Sequence, residues 1–203
     1  MEFWNSLLTG KSWRIMQELK KQNFRFIVIG GWAAYLWTKQ HKSKDIDIVI
    51  PDYVELEAIG KKYALNKNDN LKKYEIKFDD IDVDMYLPYY SKLALPLKEL
   101  LANTTKVEGF EVVKPEILLI LKQGAELDRK DSIKGQKDRI DIMTLLCFAD
   151  VDFKKYKELL SNNKLHHFKQ RLKEIVISFT EIKYLGLNTN DYAKIKKKLL
   201  DLV

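Results

Sequence analysis

Apolar and polar positions change period several times along the chain, and each change predicts an element. Over residues 4–22, Trp4, Leu7, Leu8, Ile15, Met16 and Leu19 recur at helical spacing and predict an amphipathic helix. The apolar run Phe26-Ile27-Val28-Ile29 predicts a strand over 25–29, followed by a helix over 31–39. Residues 45–50 read as a strand stopped by Pro51, and 52–64 as a helix. Residues 72–78 and 81–87 alternate and predict an antiparallel pair turning at Asp79-Asp80. A short helix near 96–102 and a hairpin around Glu108-Gly109 follow. From Pro115, suited to a first helical turn, the pattern is almost entirely helical. An α/β part over 1–113 and a helical part over 114–203 are therefore expected. The join at Lys114-Pro115 is short, so two packed halves with a cleft between them are expected.

Composition narrows the class. A chain of 203 residues, 46% hydrophobic, builds one large or two small cores. It has no continuous apolar stretch of transmembrane length, and its start lacks a basic segment followed by an apolar cleavable one. A cytoplasmic protein without a membrane partner is expected. The single Cys147 lies among Leu145, Leu146 and Phe148 and reads as a core thiol, so no disulfide or zinc framework is available within one chain. The four tryptophans fall before residue 38 and read as packing groups rather than a base-stacking platform. Net charge is +7, and residues 151–203 carry 12 Lys and Arg against 6 Asp and Glu. That excess would suit nucleic acid. Lys194, Lys196, Lys197 and Lys198 are interleaved with Ile195, Leu199 and Leu200, which also suits an amphipathic helix with a solvated face.

The candidate chemistry lies in the first half. Gly30-Gly31 ends the first strand, and thirteen residues separate it from Asp45-Ile46-Asp47. Residues i and i+2 of a strand point the same way, so Asp45 and Asp47 are expected side by side with Ile46, Ile48 and Ile50 turned to the core. Two carboxylates that close suit a divalent cation whose shell is completed by substrate phosphates. A third acid comes from Asp82-Val83-Asp84-Met85. Asp84 is preferred because it lies inside the apolar run, with Asp82 as the alternative.

Gly30-Gly31, Asp45-x-Asp47 and a later strand acid resemble the nucleotidyltransferase superfamily typified by DNA polymerase β. The resemblance spans roughly residues 24–88. It implies an α+β fold, a mixed sheet with flanking helices followed by a C-terminal helical bundle. It implies that Gly30 and Gly31 let the backbone approach an NTP's phosphates, and that Asp45, Asp47 and Asp84 hold two Mg²⁺ ions, with Mn²⁺ as an alternative. Ser43 matches a position where relatives carry a phosphate-touching Ser or Thr, and His41 one where many carry Arg.

The second half, with Pro115-Glu116-Ile117-Leu118-Leu119, Lys122, Arg129 and Lys137-Asp138-Arg139-Ile140-Asp141-Ile142, looks like the C-terminal half of AbiEii-type nucleotidyltransferases, a group that includes toxins of toxin–antitoxin pairs. Gln123-Gly124-Ala125 departs from the Leu-x-Ala common there. By that likeness Lys122, Lys137, Asp138 and Asp141 line the nucleotide side, and Lys122 meets the triphosphate. The reading is a Mg²⁺-dependent enzyme moving an NMP from an NTP to an acceptor hydroxyl, with RNA, above all the tRNA 3′ end, ranked first. An antitoxin partner is then expected. An antibiotic-modifying nucleotidyltransferase and a non-catalytic nucleotide-binding or interaction module are the alternatives.

Overall fold

The computed structural model describes residues 5–202 in two compact units, the first ending at Lys114 and the second starting at Pro115. The first unit is built on α1 (Ser6–Lys21), β1 (Ile27–Val28), α2 (Gly30–Thr38), β2 (Ile46–Val49), α3 (Tyr53–Gly60), β3 (Asn66–Asn68), β4 (Lys73–Phe78), β5 (Ile81–Tyr86), α4 (Leu97–Ala102), β6 (Thr104–Val107) and β7 (Phe110–Val113). Its seven strands form one mixed sheet in the order β3-β4-β5-β2-β1-β7-β6.

Local chemistry accounts for these limits. The helix expected over 4–22 starts at Ser6, because the Asn5 side chain caps it by accepting from the Leu7 and Leu8 N–H groups. Trp4, counted in that pattern, lies outside the described residues. Asp52 caps α3 by accepting from the Glu55 N–H, 2.8 Å away. That helix ends at Gly60 rather than 64, and the polar segment Asn66–Asn68 pairs with β4 as an extra edge strand. Its Asn-Lys-Asn pattern carries no apolar alternation, so no strand was legible there.

Strand β2 is central. It runs antiparallel to β1 and parallel to β5. Ile46, Ile48, Val83 and Met85 are buried, as strict alternation demands. Trp32 of α2 is also fully buried and donates its indole N–H to Ser12 Oγ at 2.8 Å. Trp37 donates to the Val113 carbonyl at 2.9 Å. The described tryptophans are packing groups, with Trp13 tilted against Trp32 at 5.1 Å between ring centres.

The second unit comprises α5 (Pro115–Arg129), α6 (Ile133–Phe148), α7 (Phe153–Asn162), α8 (His166–Ser178), a 3₁₀ turn (Ile182–Leu185) and α9 (Thr189–Leu202). Its core holds a polar network beside the aliphatic side chains. Gln123 is fully buried, accepts from the Tyr156 hydroxyl at 2.7 Å and donates to the Phe168 carbonyl at 2.8 Å. That explains a glutamine where an apolar residue was expected. Glu126, also fully buried, accepts from Arg139 at 3.0 Å and from Arg171 at 2.9 and 2.5 Å. Cys147 is half-buried rather than fully in the core, and burial pushes its thiol up to about 11. Among the described residues no helix is long and apolar enough to cross a membrane.

Candidate active site

Parallel pairing of β2 with β5 sets Asp47 directly opposite Asp84. Residues opposite each other on neighbouring strands share a face of the sheet, so the two carboxylates stand together on the side away from Ile46, Ile48, Val83 and Met85. Of the two acids considered on β5, Asp84 is the one in register with Asp47, while Asp82 stands opposite Lys77 of β4. Asp45 lies in the bend entering β2, one residue before the paired stretch, rather than within the strand.

The glycines meet this face from α2. Helix α2 starts at Gly30, one residue earlier than expected, with Gly30 at φ +64°. A Cβ there would collide with the Asp47 carboxylate, so the position excludes any larger residue. A Cβ at Gly31 would come within 2.6 Å of the Ser43 hydroxyl, which is itself buried. Gly30 is thus packed on Asp47 and Gly31 on Ser43. The start of α2 carries no side-chain cap and no acid in its first turn, leaving its N–H groups oriented for an anion.

The hairpin between β4 and β5 adds groups that the motif does not contain. Its register places Glu75 opposite Asp84 and Asn66 opposite Glu75, so Asp47, Asp84, Glu75 and Asn66 form one row across four strands. Lys73 donates to Asp84 Oδ2 at 2.6 Å and pairs with Glu75 Oε1 at 3.0 Å. The Tyr86 hydroxyl reaches Asp47 Oδ1 at a long 3.5 Å. A signal for the lysine and glutamate was present in the sequence. A two-residue turn at Asp79-Asp80 forces Phe78 to pair with Ile81, and counting back brings Glu75 to Asp84. Asp79 adopts the left-handed conformation such a turn needs, at φ +51°.

Electrostatics reflect the crowding. Burial pushes the Asp84 carboxyl up to about 6, with Asp47 adding repulsion, while the Lys73 hydrogen bond opposes the rise. Burial disfavours the Lys73 charge, but hydrogen bonds to Asp84 and Glu75 outweigh it and hold the ammonium above its ordinary value. Glu75 is held below the usual carboxylate range by Lys73.

Two oxygens of this site, Asp45 Oδ1 and Asp84 Oδ1, are buried without a hydrogen-bond donor. Buried carboxylate oxygens left as bare acceptors fit a hard cation. Among the described residues no three acidic, histidine or cysteine side chains converge tightly enough to hold an ion unaided.

The remaining expected residues lie in the second unit. Lys122, 8% exposed, donates to Asp141 Oδ2 at 2.6 Å and stands 3.6 Å from Asp138 Oδ1. Arg129 grips Asp138 through two hydrogen bonds of 2.7 and 3.0 Å. Asp138 and Asp141 thus take partners from α5, across the α5–α6 interface. Lys137 lies half-buried on α6.

No family model matches the sequence, and no curated protein matches it. Solved structures share its fold. The antibiotic-resistance factor ANT(2″)-Ia in solution is 14% identical over 82% of this chain and 96% of that chain, with a TM-score of 0.52. ANT(2″)-Ia in complex with adenylyl-2″-tobramycin is 15% identical over 80% and 99%, also at 0.52. The Megavirus polyadenylate synthase is 16% identical over 69% of this chain and 32% of that chain, at 0.50. The chain has a nucleotidyltransferase-like α+β fold, a mixed sheet with flanking helices.

Proposed function

We propose that the protein is a divalent-metal-dependent nucleotidyltransferase that moves an NMP from an NTP to an acceptor hydroxyl. The observation that carries this reading is the pairing of Asp47 with Asp84 under a glycine, Gly30, that only a backbone lacking Cβ allows. In this reading Asp45, Asp47 and Asp84 hold Mg²⁺ or Mn²⁺, which when bound would stabilise the entering and leaving oxygens of an in-line displacement. The N–H groups opening α2 receive the triphosphate, with Ser43 beside them. The Asp84 carboxylate accepts the proton of the acceptor hydroxyl. The deprotonated acceptor oxygen bonds to the α-phosphorus as the bond from that phosphorus to the α,β-bridging oxygen breaks, and pyrophosphate leaves.

RNA, in particular a tRNA 3′ end, is our proposed acceptor, supported by the basic balance of residues 151–203 and by exposed Lys194, Lys197 and Lys198 on α9. The likeness to AbiEii-type proteins extends this to a toxin restrained by an antitoxin, with Lys122, Lys137 and Asp138 on the nucleotide side. A small acceptor is the second reading, favoured by the complex of ANT(2″)-Ia with adenylyl-2″-tobramycin, whose length this chain spans almost fully.

The test is label transfer. Protein, Mg²⁺ and each α-labelled NTP are incubated with total tRNA and, separately, with aminoglycosides. Asp45→Asn and Asp47→Asn serve as controls that should fold normally. Label on tRNA, absent in both variants, is the expected result. Label on an aminoglycoside alone transfers the assignment to the second reading, and full activity in both variants refutes the site.

A further inference from the structure

The carboxylate row holds a cation of its own. Asp47, Asp84 and Glu75 stand abreast on three neighbouring strands, and Lys73 bridges the latter two from within the same face. The Lys73 and Asp84 side chains are only 13% and 15% exposed, so little water screens the pair. The geometry points to Lys73 as a resident counter-ion that holds the third acid in place and hands it over when the metal–nucleotide complex arrives, a role that rests on the function proposed above. Lys73 touches Asp84 through Oδ2, while Asp84 Oδ1 is buried without a donor. One oxygen is thus covered by the ammonium and the other left as a bare acceptor.

Glu75 makes the hand-over feasible. It is already 3.0 Å from the ammonium and also accepts from the Asn68 side-chain amide at 3.0 Å, so it is a fixed second acceptor. Lys73 can therefore leave Asp84 without leaving a carboxylate. Four flexible methylenes allow the small shift, whereas the strand backbone stays in register. Lys73 is a positioning residue in this account, acting through Asp84. With the lysine absent, Asp84 and Glu75 face each other as like charges across the hairpin.

Equilibrium binding of Mn²⁺ with a non-hydrolysable ATP analogue, read by electron paramagnetic resonance, tests this without turnover. Asp47→Asn reports on the site itself, and Lys77→Met removes a lysine from the same strand face that stands opposite Asp82. Lys73→Met should bind Mn²⁺ about tenfold more tightly than wild type, while Lys73→Arg and Lys77→Met stay within about twofold. Lys73→Met should also melt at a lower temperature without metal and recover when Mn²⁺ and the analogue are added. Lys73→Gln carries the same expectation if the methionine variant does not fold. Wild-type affinity or weaker binding in the folded Lys73 variant overturns the counter-ion role and leaves the site standing. Equal tightening in Lys77→Met also overturns it, because general electrostatics would then suffice. If wild type binds no Mn²⁺, or Asp47→Asn binds it unchanged, the proposed function falls, and the counter-ion role with it.

Discussion

Replacing Asp84 by asparagine should stabilise the protein at neutral pH while abolishing transfer. In the fold this carboxyl is lifted from 3.8 to about 6, chiefly by burial, despite its bond to Lys73. The folded state therefore binds the proton more tightly than the unfolded chain does. Ionised Asp84 opposes folding, fully above about pH 6, and the penalty fades as pH falls from there towards 3.8. A rise of about two pKa units corresponds to about 3 kcal/mol at pH 7.5, falling below about 1 kcal/mol near pH 4. Asparagine keeps the shape and carries no charge, so it should recover about 1–3 kcal/mol, or several degrees in melting temperature for a chain of this size. Urea unfolding in EDTA, followed by tryptophan fluorescence, is the assay. Trp13, Trp32 and Trp37 all lie in the unit that contains the site, and no tryptophan follows residue 37, so the signal reports that unit. The gap between variant and wild type should be wide at pH 7.5 and nearly closed at pH 4. A variant no more stable than wild type at pH 7.5, or a gap independent of pH, would show that burial of Asp84 is not the controlling effect.

Other perturbations separate the remaining parts. Gly30→Ala puts a Cβ against the Asp47 carboxylate at φ +64° and should cut transfer by about 100-fold through displaced geometry; near-normal kcat would refute the packing argument. Lys122→Met leaves Asp138 and Asp141 buried without one cation, and should destabilise the helical unit by about 3–5 kcal/mol in circular-dichroism melts; a neutral change would mean these carboxylates gain solvent. Charge reversal at Lys194, Lys197 and Lys198 should weaken tRNA use and lower the slope of log K against log salt by about 0.7–0.9 per lost phosphate contact; an unchanged slope would make α9 scaffold. Lys196 is omitted from that set because its ammonium donates to the Ile177 carbonyl at the end of α8, at 2.6 Å, and so serves the fold.

Periodicity and turn chemistry alone placed most elements. Strict alternation from Ile81 to Tyr86 fixed which side chains enter the core, because a strand repeats every two residues and a slip would bury Asp82 and Asp84. The two acids of the Asp45-x-Asp47 motif, the glycine pair and the hairpin at Asp79-Asp80 were legible for the same reason: each is local. Pairing between distant strands was not. Nothing near Asp47 states that its neighbour is β5 rather than another strand, or that the register brings Asp84, not Asp82, to its side. That choice belongs to the sheet as a whole, where burying Ile46, Ile48, Val83 and Met85 on one face decides how the strands align. Tertiary structure likewise decided the company of Asp84. The hairpin register offers Glu75 to Asp84, but only the folded chain buries the acid and swings the Lys73 ammonium between the two carboxylates. In the second unit, Asp138 and Asp141 stand three residues apart on α6 and so share a helical face, yet their cations come from α5. Helical spacing reveals which side chains share a face, while burial decides that a charge on that face must find a partner wherever another helix can supply one.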